Sequence, residues 1–166
     1  FFSNKMNKNI FENQSSIKIE TIKGPNNSEV SYSPDRGGIV TSIKLGGKEI
    51  LYLDPKTFQD LTQNVKGGIP ILFPNAGPLR ENADFQNLAQ HGFARNKKWQ
   101  TEKAQRGFKE VLVSDNETKK VFPYDFRLSV QGNFEEDGSF TFSQETENME
   151  EDKELPLSIG LHPYFR

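Results

Sequence analysis

The sequence predicts an all-β protein, an antiparallel sandwich or barrel, and three observations carry that expectation. Short stretches alternate apolar and polar residues, as in Ile17-Lys18-Ile19-Glu20-Thr21-Ile22 and Phe126-Arg127-Leu128-Ser129-Val130. That alternation is the period of a half-buried strand. Turn signals built from Gly, Pro, Asn and Asp recur at short intervals between these stretches. No helical period of useful length is visible; only Asp54 to Gln63 could hold a turn or two.

Taken in order, residues 1–16 are rich in Asn and Ser and predict a flexible lead-in. Ile17–Ile22 is the first strand, and Gly24-Pro25-Asn26-Asn27-Ser28 turns it into a second, Glu29–Tyr32. Pro34 to Gly38 forms another turn. Ile39–Leu45 is a β-branched strand that ends at Gly46-Gly47, with Glu49–Leu53 as its hairpin partner. Trp99–Lys103 and Phe108–Val113 are further strands. Phe126–Val130 and Phe140–Phe142 are joined by an Asp137-Gly138 hairpin signal, so their aromatic and aliphatic residues should face one core. Glu145 to Glu154 reads as an acidic, solvated connection. Leu155 to Gly160 then leads into a final Leu161-His162-Pro163-Tyr164-Phe165, in which Phe165 is expected to pack in the core.

Lys66 to Arg95 departs from this pattern. It is rich in Gly and Pro around one apolar run, Ile69-Pro70-Ile71-Leu72-Phe73. Prolines at 70, 74 and 78 argue against a central strand, because proline donates nothing to a ladder. Long irregular segments in compact domains are usually functional loops or disordered, and the apolar content speaks for a loop.

The chain of 166 residues is the size of one domain. Its hydrophobic fraction of 33% is lean, but fourteen Phe can bury much area with few residues. A net charge of −2 and singly scattered Lys and Arg do not suggest a nucleic-acid partner. There is no apolar run long enough to span a membrane and no secretory start. The triplets that open at Asn13, Asn26 and Asn116 match the glycosylation pattern and read as chance. The absence of cysteine excludes disulfides and thiolate metal sites, and fits a cytoplasmic protein. No phosphate loop, nucleophile elbow or helical His pair is present, so neither a cofactor nor a metal is expected.

The two histidines, His91 and His162, each sit among Gly, Pro and aromatic residues rather than on a polar face. Each has a purely structural reading, as a packed and hydrogen-bonded ring. Each also has a functional one, since imidazole titrates near neutrality and can give a proton to an oxygen and take it back. Arg95 lies four residues after His91 and could reach the same pocket with its donor fork, or form a surface ion pair. Tyr164 could offer a ring face to a sugar. Lys66 could bind an anion or hydroxyl, or be an ordinary surface lysine. Pro74-Asn75 and Arg80 carry less signal.

Three segments together resemble the aldose 1-epimerase (mutarotase) family, in the branch that includes hexose-6-phosphate mutarotases. They are Gly67-Gly68-Ile69-Pro70-Ile71-Leu72-Phe73-Pro74, Gln90-His91-Gly92-Phe93-Ala94-Arg95 and Gly160-Leu161-His162-Pro163-Tyr164-Phe165. The resemblance implies a large antiparallel β-supersandwich and cofactor-free interconversion of α and β anomers of a hexose or hexose 6-phosphate. It implies His162 as general acid, His91 as the second histidine that orients the sugar, and Arg95 as a sugar or sugar-phosphate ligand. Lys66 stands where phosphate-type members often carry Arg. Family members continue past the His-Pro-Tyr-Phe motif, and their catalytic glutamate lies in that later half. The resemblance therefore implies that residues 17–166 are the N-terminal portion of one mutarotase-like domain, holding an acid without its base. The alternative is a carbohydrate-binding domain of the same fold without catalysis.

Overall fold

The computed structural model describes residues 17–79, 81–102, 104 and 106–166; the expected lead-in, Arg80 and Lys103 lie outside the described residues. β1 (Glu20–Gly24) and β2 (Ser28–Ser33) form a hairpin across Pro25-Asn26-Asn27. β3 (Ile39–Leu45) returns through Gly46-Gly47 to the two-residue β4 (Lys48–Glu49). Then come α1 (Pro55–Gln59), β5 (Ile71–Leu72), β6 (Gln100–Glu102), β7 (Phe108–Val113), α2 (Asn116–Lys119), β8 (Phe126–Phe134), β9 (Phe140–Asn148) and β10 (Gly160–Leu161).

Two antiparallel sheets result, in the orders β1-β2-β3-β4 and β6-β7-β8-β9, with β5 and β10 paired separately. Val30, Tyr32, Val40 and Ile43 form the apolar face of the first sheet and meet Phe108 of the second. Val40 and Ile43 are three residues apart, a spacing that would put them on opposite faces of a regular strand. A register shift opposite Ser31 and Tyr32 restores both to the core. The Tyr32 and Phe108 rings stack at 4.0 Å across the gap. A second core joins Phe126, Leu128 and Val130 of β8 to Ile71, Phe73, Ala94 and Trp99 of the irregular segment. Burying one such side chain contributes about 1.5–3 kcal/mol.

Several expectations are corrected. The partner of β3 stops at Glu49, because Leu51 bridges to Phe165 and Leu53 to Gly67 instead. β9 runs on to Asn148, so the first part of the acidic stretch is strand; Glu145 and Glu147 point outward, where their charges stay hydrated. The Asn116 triplet lies in α2, whose Asp115 carboxylate accepts the Thr118 N–H while the Thr118 hydroxyl accepts the Asp115 N–H. Ile71–Leu72 is a strand, but in a two-stranded sheet with β10, so the prolines keep it from a central place as expected. The prolines lack donors, but their carbonyls accept from His162 and Ser158 respectively. Phe165 is 67% exposed rather than in the core.

Arg36 is buried beside α1 and replaces a carboxylate partner with backbone. Its guanidinium donates to the carbonyls of Thr57, Phe58, Asp60 and Gln63. Burial draws its pKa below the usual value. No helix among the described residues is long and apolar enough to cross a membrane.

Glu110 is an exception to the apolar interior. It lies on β7 between Phe108 and Leu112, shares their inward face and is 0% exposed. Neither carboxyl oxygen has a hydrogen-bond partner among the described residues. Loss of hydration, with a smaller contribution from the charge of Glu20, pushes its pKa up to about 8. The unfolded carboxyl ionises near roughly 4.3. Between those values the native chain holds a proton that the unfolded chain releases, so stability falls as pH rises and levels off above about 8. Urea denaturation from about pH 5 to 9 should therefore show a Glu110→Gln variant gaining on the parent by up to ~1.4 kcal/mol per pH unit. Parallel stability curves for the two proteins would contradict a buried neutral Glu110.

Candidate active site

The site is assembled on the edge of residues 66–74. The last strand lies along that edge through the β5–β10 pairing, Gly160 opposite Leu72 and Leu161 opposite Ile71. Backbone bonds extend the contact in both directions. The Ser158 N–H donates to Pro74, His162 to Pro70 at 3.2 Å and Tyr164 to Gly68 at 3.0 Å, while Tyr52 donates to Tyr164 at 2.8 Å. Gly68 lets the other side of the segment lie close against β3, because a Cβ there would stand 2.4 Å from the Val40 carbonyl oxygen. Alternation along an extended strand puts His162 and Tyr164 on one face, and their rings lie 4.9 Å apart.

His91 reaches the same face from the other end of the segment. Gly92 bridges to Phe73, whose carbonyl accepts from both Phe93 and Ala94. The chain makes this approach through two consecutive left-handed residues, His91 at φ 71° and Gly92 at φ 67°. A non-glycine residue there costs on the order of 1 kcal/mol and persists only where its surroundings over-determine it. The His91 Nδ1 is hydrogen-bonded to the Ala76 carbonyl oxygen. A carbonyl only accepts, so Nδ1 carries the hydrogen, and in the neutral ring Nε2 is left as an acceptor. The His91 and His162 ring centroids are 5.5 Å apart with planes inclined at 62°.

Arg95 follows on the 3-10 turn Ala94–Asn96 and is half-buried. One of its terminal N–H groups donates to the Gln90 carbonyl, and its Nε has no partner among the described residues. Burial lowers its pKa, an effect that neighbouring Tyr164 opposes. The fold thus brings His91, His162, Tyr164 and Arg95 into one neighbourhood. Lys66 is not tied to them by any side-chain bond. It is exposed, and its backbone is held by Asp54 and the Thr57 hydroxyl.

The cluster stands on an open shelf, with His162 itself exposed. Two surface grooves lie elsewhere, one between Ile22–Pro25 and Phe134–Glu136, the other lined by Pro78, Leu79, Glu81, Asn82 and Ala83. Leu157, Ile159, Leu161 and Phe165, at the positions that alternate with His162 and Tyr164, stand exposed. Among the described residues, no group of three or more potential ligands could hold a metal ion. Sequence reasoning gave little weight to Asn75, which is 1% exposed and ties the ends of the loop that carries Ala76 and His91. Its only sequence signal was a polar residue behind Pro74 at the end of the apolar run Ile69–Phe73.

Residues 18–166 match the family model described as aldose 1-epimerase. The chain belongs to the aldose 1-epimerase family. Curated relatives that carry the provisional name glucose-6-phosphate 1-epimerase include a Cenchrus ciliaris protein, 28% identical over 141 residues, and an Escherichia coli protein, 30% identical over 126 residues. Those alignments cover 78% and 72% of this chain but 41% and 39% of the relatives. A solved structure of a Synechocystis protein matches with a TM-score of 0.78 at 34% identity, over 89% of this chain and 54% of its own. A galactose mutarotase related enzyme from Lactobacillus acidophilus matches at 0.66 and 25% identity, over 89% and 49%. The chain spans about half the length of these solved relatives. Its sheets belong to the antiparallel, galactose mutarotase-like fold of the aldose 1-epimerases.

The backbone at Gly92 is a direct test of how this family member builds its shelf. A Cβ at that position would lie 1.9 Å from the Phe73 carbonyl oxygen, whereas one at Gly77 would meet nothing within 4 Å. Gly92→Ala should lower stability by about 2–3 kcal/mol, and Gly77→Ala by no more than about 0.5 kcal/mol. Thermal unfolding of both variants decides whether the His91-Gly92 turn is as tight as described.

Proposed function

We propose that the shelf binds the ring form of an aldose, a hexose or hexose 6-phosphate, and serves the interconversion of its α and β anomers. Ring opening removes the proton of the C1 hydroxyl, breaks the bond between C1 and the ring oxygen, and protonates that oxygen. Rotation of the resulting aldehyde and the reverse sequence give the other anomer. The observation that carries this reading is the convergence of the two histidines on one face, held by backbone bonds from separate segments.

The two rings are suited to different tasks. His162 is exposed and free of side-chain hydrogen bonds among the described residues, which suits it to give a proton to the ring oxygen and take it back. His91 gives its Nδ1 hydrogen to Ala76, which suits its Nε2 to accept from a sugar hydroxyl and orient the ring. Tyr164 presents an aromatic face beside His162, and Arg95 adds donors at the margin. Lys66 lies further along the same edge and would meet a 6-phosphate as a point charge, without the bidentate fork of an arginine.

No described Asp or Glu bonds to either histidine. We assign the general base to a carboxylate outside this shelf, as the resemblance to the aldose 1-epimerases implies. The same fact favours a second reading, a sugar-binding domain of this fold that does not turn sugar over.

Proton NMR of α/β glucose, galactose and glucose 6-phosphate near pH 7 tests both readings. The isolated chain should add little to the exchange rate of a buffer blank, yet sugar at millimolar concentration should shift the ring signals of both histidines. In a parent protein that supplies the base, His162→Gln should reduce exchange by about 10²–10⁴-fold while affinity stays within about threefold. Histidine signals that no hexose or hexose phosphate moves would end the sugar-site reading.

A further inference from the structure

A loop leaves the apolar run at Asn75 and returns fourteen positions later at Ala89, just before His91. Its neck is closed by one side chain. The Asn75 amide nitrogen donates to the Gly77 carbonyl at 2.7 Å and to the Ala89 carbonyl at 3.0 Å. Both of its hydrogens are thus spent on the two ends of the loop. The amide oxygen is buried and has no partner among the described residues, so the nitrogen alone holds the group in place. The backbone of Asn75 is fixed as well, by its bridge to Ser158 on the strand that carries His162.

Ala76 lies between Asn75 and Gly77 and supplies the carbonyl that His91 Nδ1 meets. Ala89 lies two residues before His91, and its carbonyl also accepts the Gly92 N–H at 2.9 Å. Closing the neck therefore brings the acceptor and the imidazole together and holds the left-handed turn at His91 and Gly92. We infer that Asn75 is a positioning residue: by tying Gly77 to Ala89 it holds the Ala76 carbonyl on His91 and sets the ring as the Nδ1–H tautomer. The link to sugar binding rests on the function proposed above; the tautomer itself does not.

Two alternatives for the neck fail on chemistry. The Gly92–Ala89 bond is a local turn that does not reach Gly77. The apolar anchors Leu79, Phe85 and Leu88 pack on the second core, which seats the body of the loop without choosing a nitrogen on His91. Among the described residues, the Asn75 amide alone supplies donors to both the Gly77 and the Ala89 carbonyls, which cannot bond to each other.

The test uses the full chain labelled with 15N, read by long-range 1H–15N correlation of the imidazoles in the absence of sugar. His162→Gln assigns the two rings. In the parent, neutral His91 should show a pyrrole-type Nδ1 and a pyridine-type Nε2. Asn75→Asp keeps the shape but sets a carboxylate against two carbonyls, and should convert His91 to the Nε2–H form. Asn75→Ser, which can reach only one carbonyl, should give a mixture and serves if the Asp variant does not fold. Sugar affinity should fall about tenfold with the loss of the tautomer. A parent His91 already protonated at Nε2, or an Nδ1–H form unchanged in a folded Asn75 variant, overturns the inference. If the parent shows the Nδ1–H form that Asn75 controls but binds no sugar, the positioning role stands and the sugar reading falls.

Discussion

Phe73 joins the core to the shelf, because its ring and its carbonyl serve different partners. The ring is fully buried and packs against Phe93, Phe122 and Phe126. The carbonyl accepts from Phe93 and Ala94, and Gly92 passes directly over it. The position of His91 is thereby set by the same residue that fills the space above β8. A site of exposed polar groups gains its precision from an apolar anchor behind it, which loop residues alone would not supply.

The second anchor is the edge that prolines share with the final strand. Pro70 and Pro74 give up donors but offer carbonyls, and the His162 and Ser158 N–H groups take them. Each proline leaves its pair with one bond where a residue with an N–H could exchange two. Here a proline edge specifies a register at low cost, since each ring already restricts its own backbone. The imidazole of His162 then projects from a strand whose backbone is held at alternate residues.

Some elements were legible because runs rich in β-branched and aromatic residues end in turn residues: Ile39–Leu45 and Phe108–Val113 are strands as expected. The His91 and His162 rings lie 5.5 Å apart with Tyr164 next to His162, while Lys66 makes no side-chain bond to any of them. Other elements left no periodic trace. Four residues make α2, too few for a helical period, and its capping pair uses Thr118 rather than the usual acidic or amide partner. Glu110 reads as an outward residue by type, yet it faces inward while Val113 is 48% exposed. Strand parity, set by the pairing of β7 with β8, overrode the polarity of the side chain.

What the sequence by itself determined is the class of fold. Alternation and turn chemistry are local, and the motif residues carry their chemistry wherever the chain goes. What only the tertiary structure decided is how those groups are presented. Which nitrogen of His91 is free depends on the Ala76 carbonyl, brought near by an amide that bridges two ends of a loop. Whether Phe165 is buried depends on what lies across the final strand, and there it stands exposed. Both are contacts between residues far apart in the chain, and no local pattern encodes a hydrogen bond whose acceptor arrives from elsewhere.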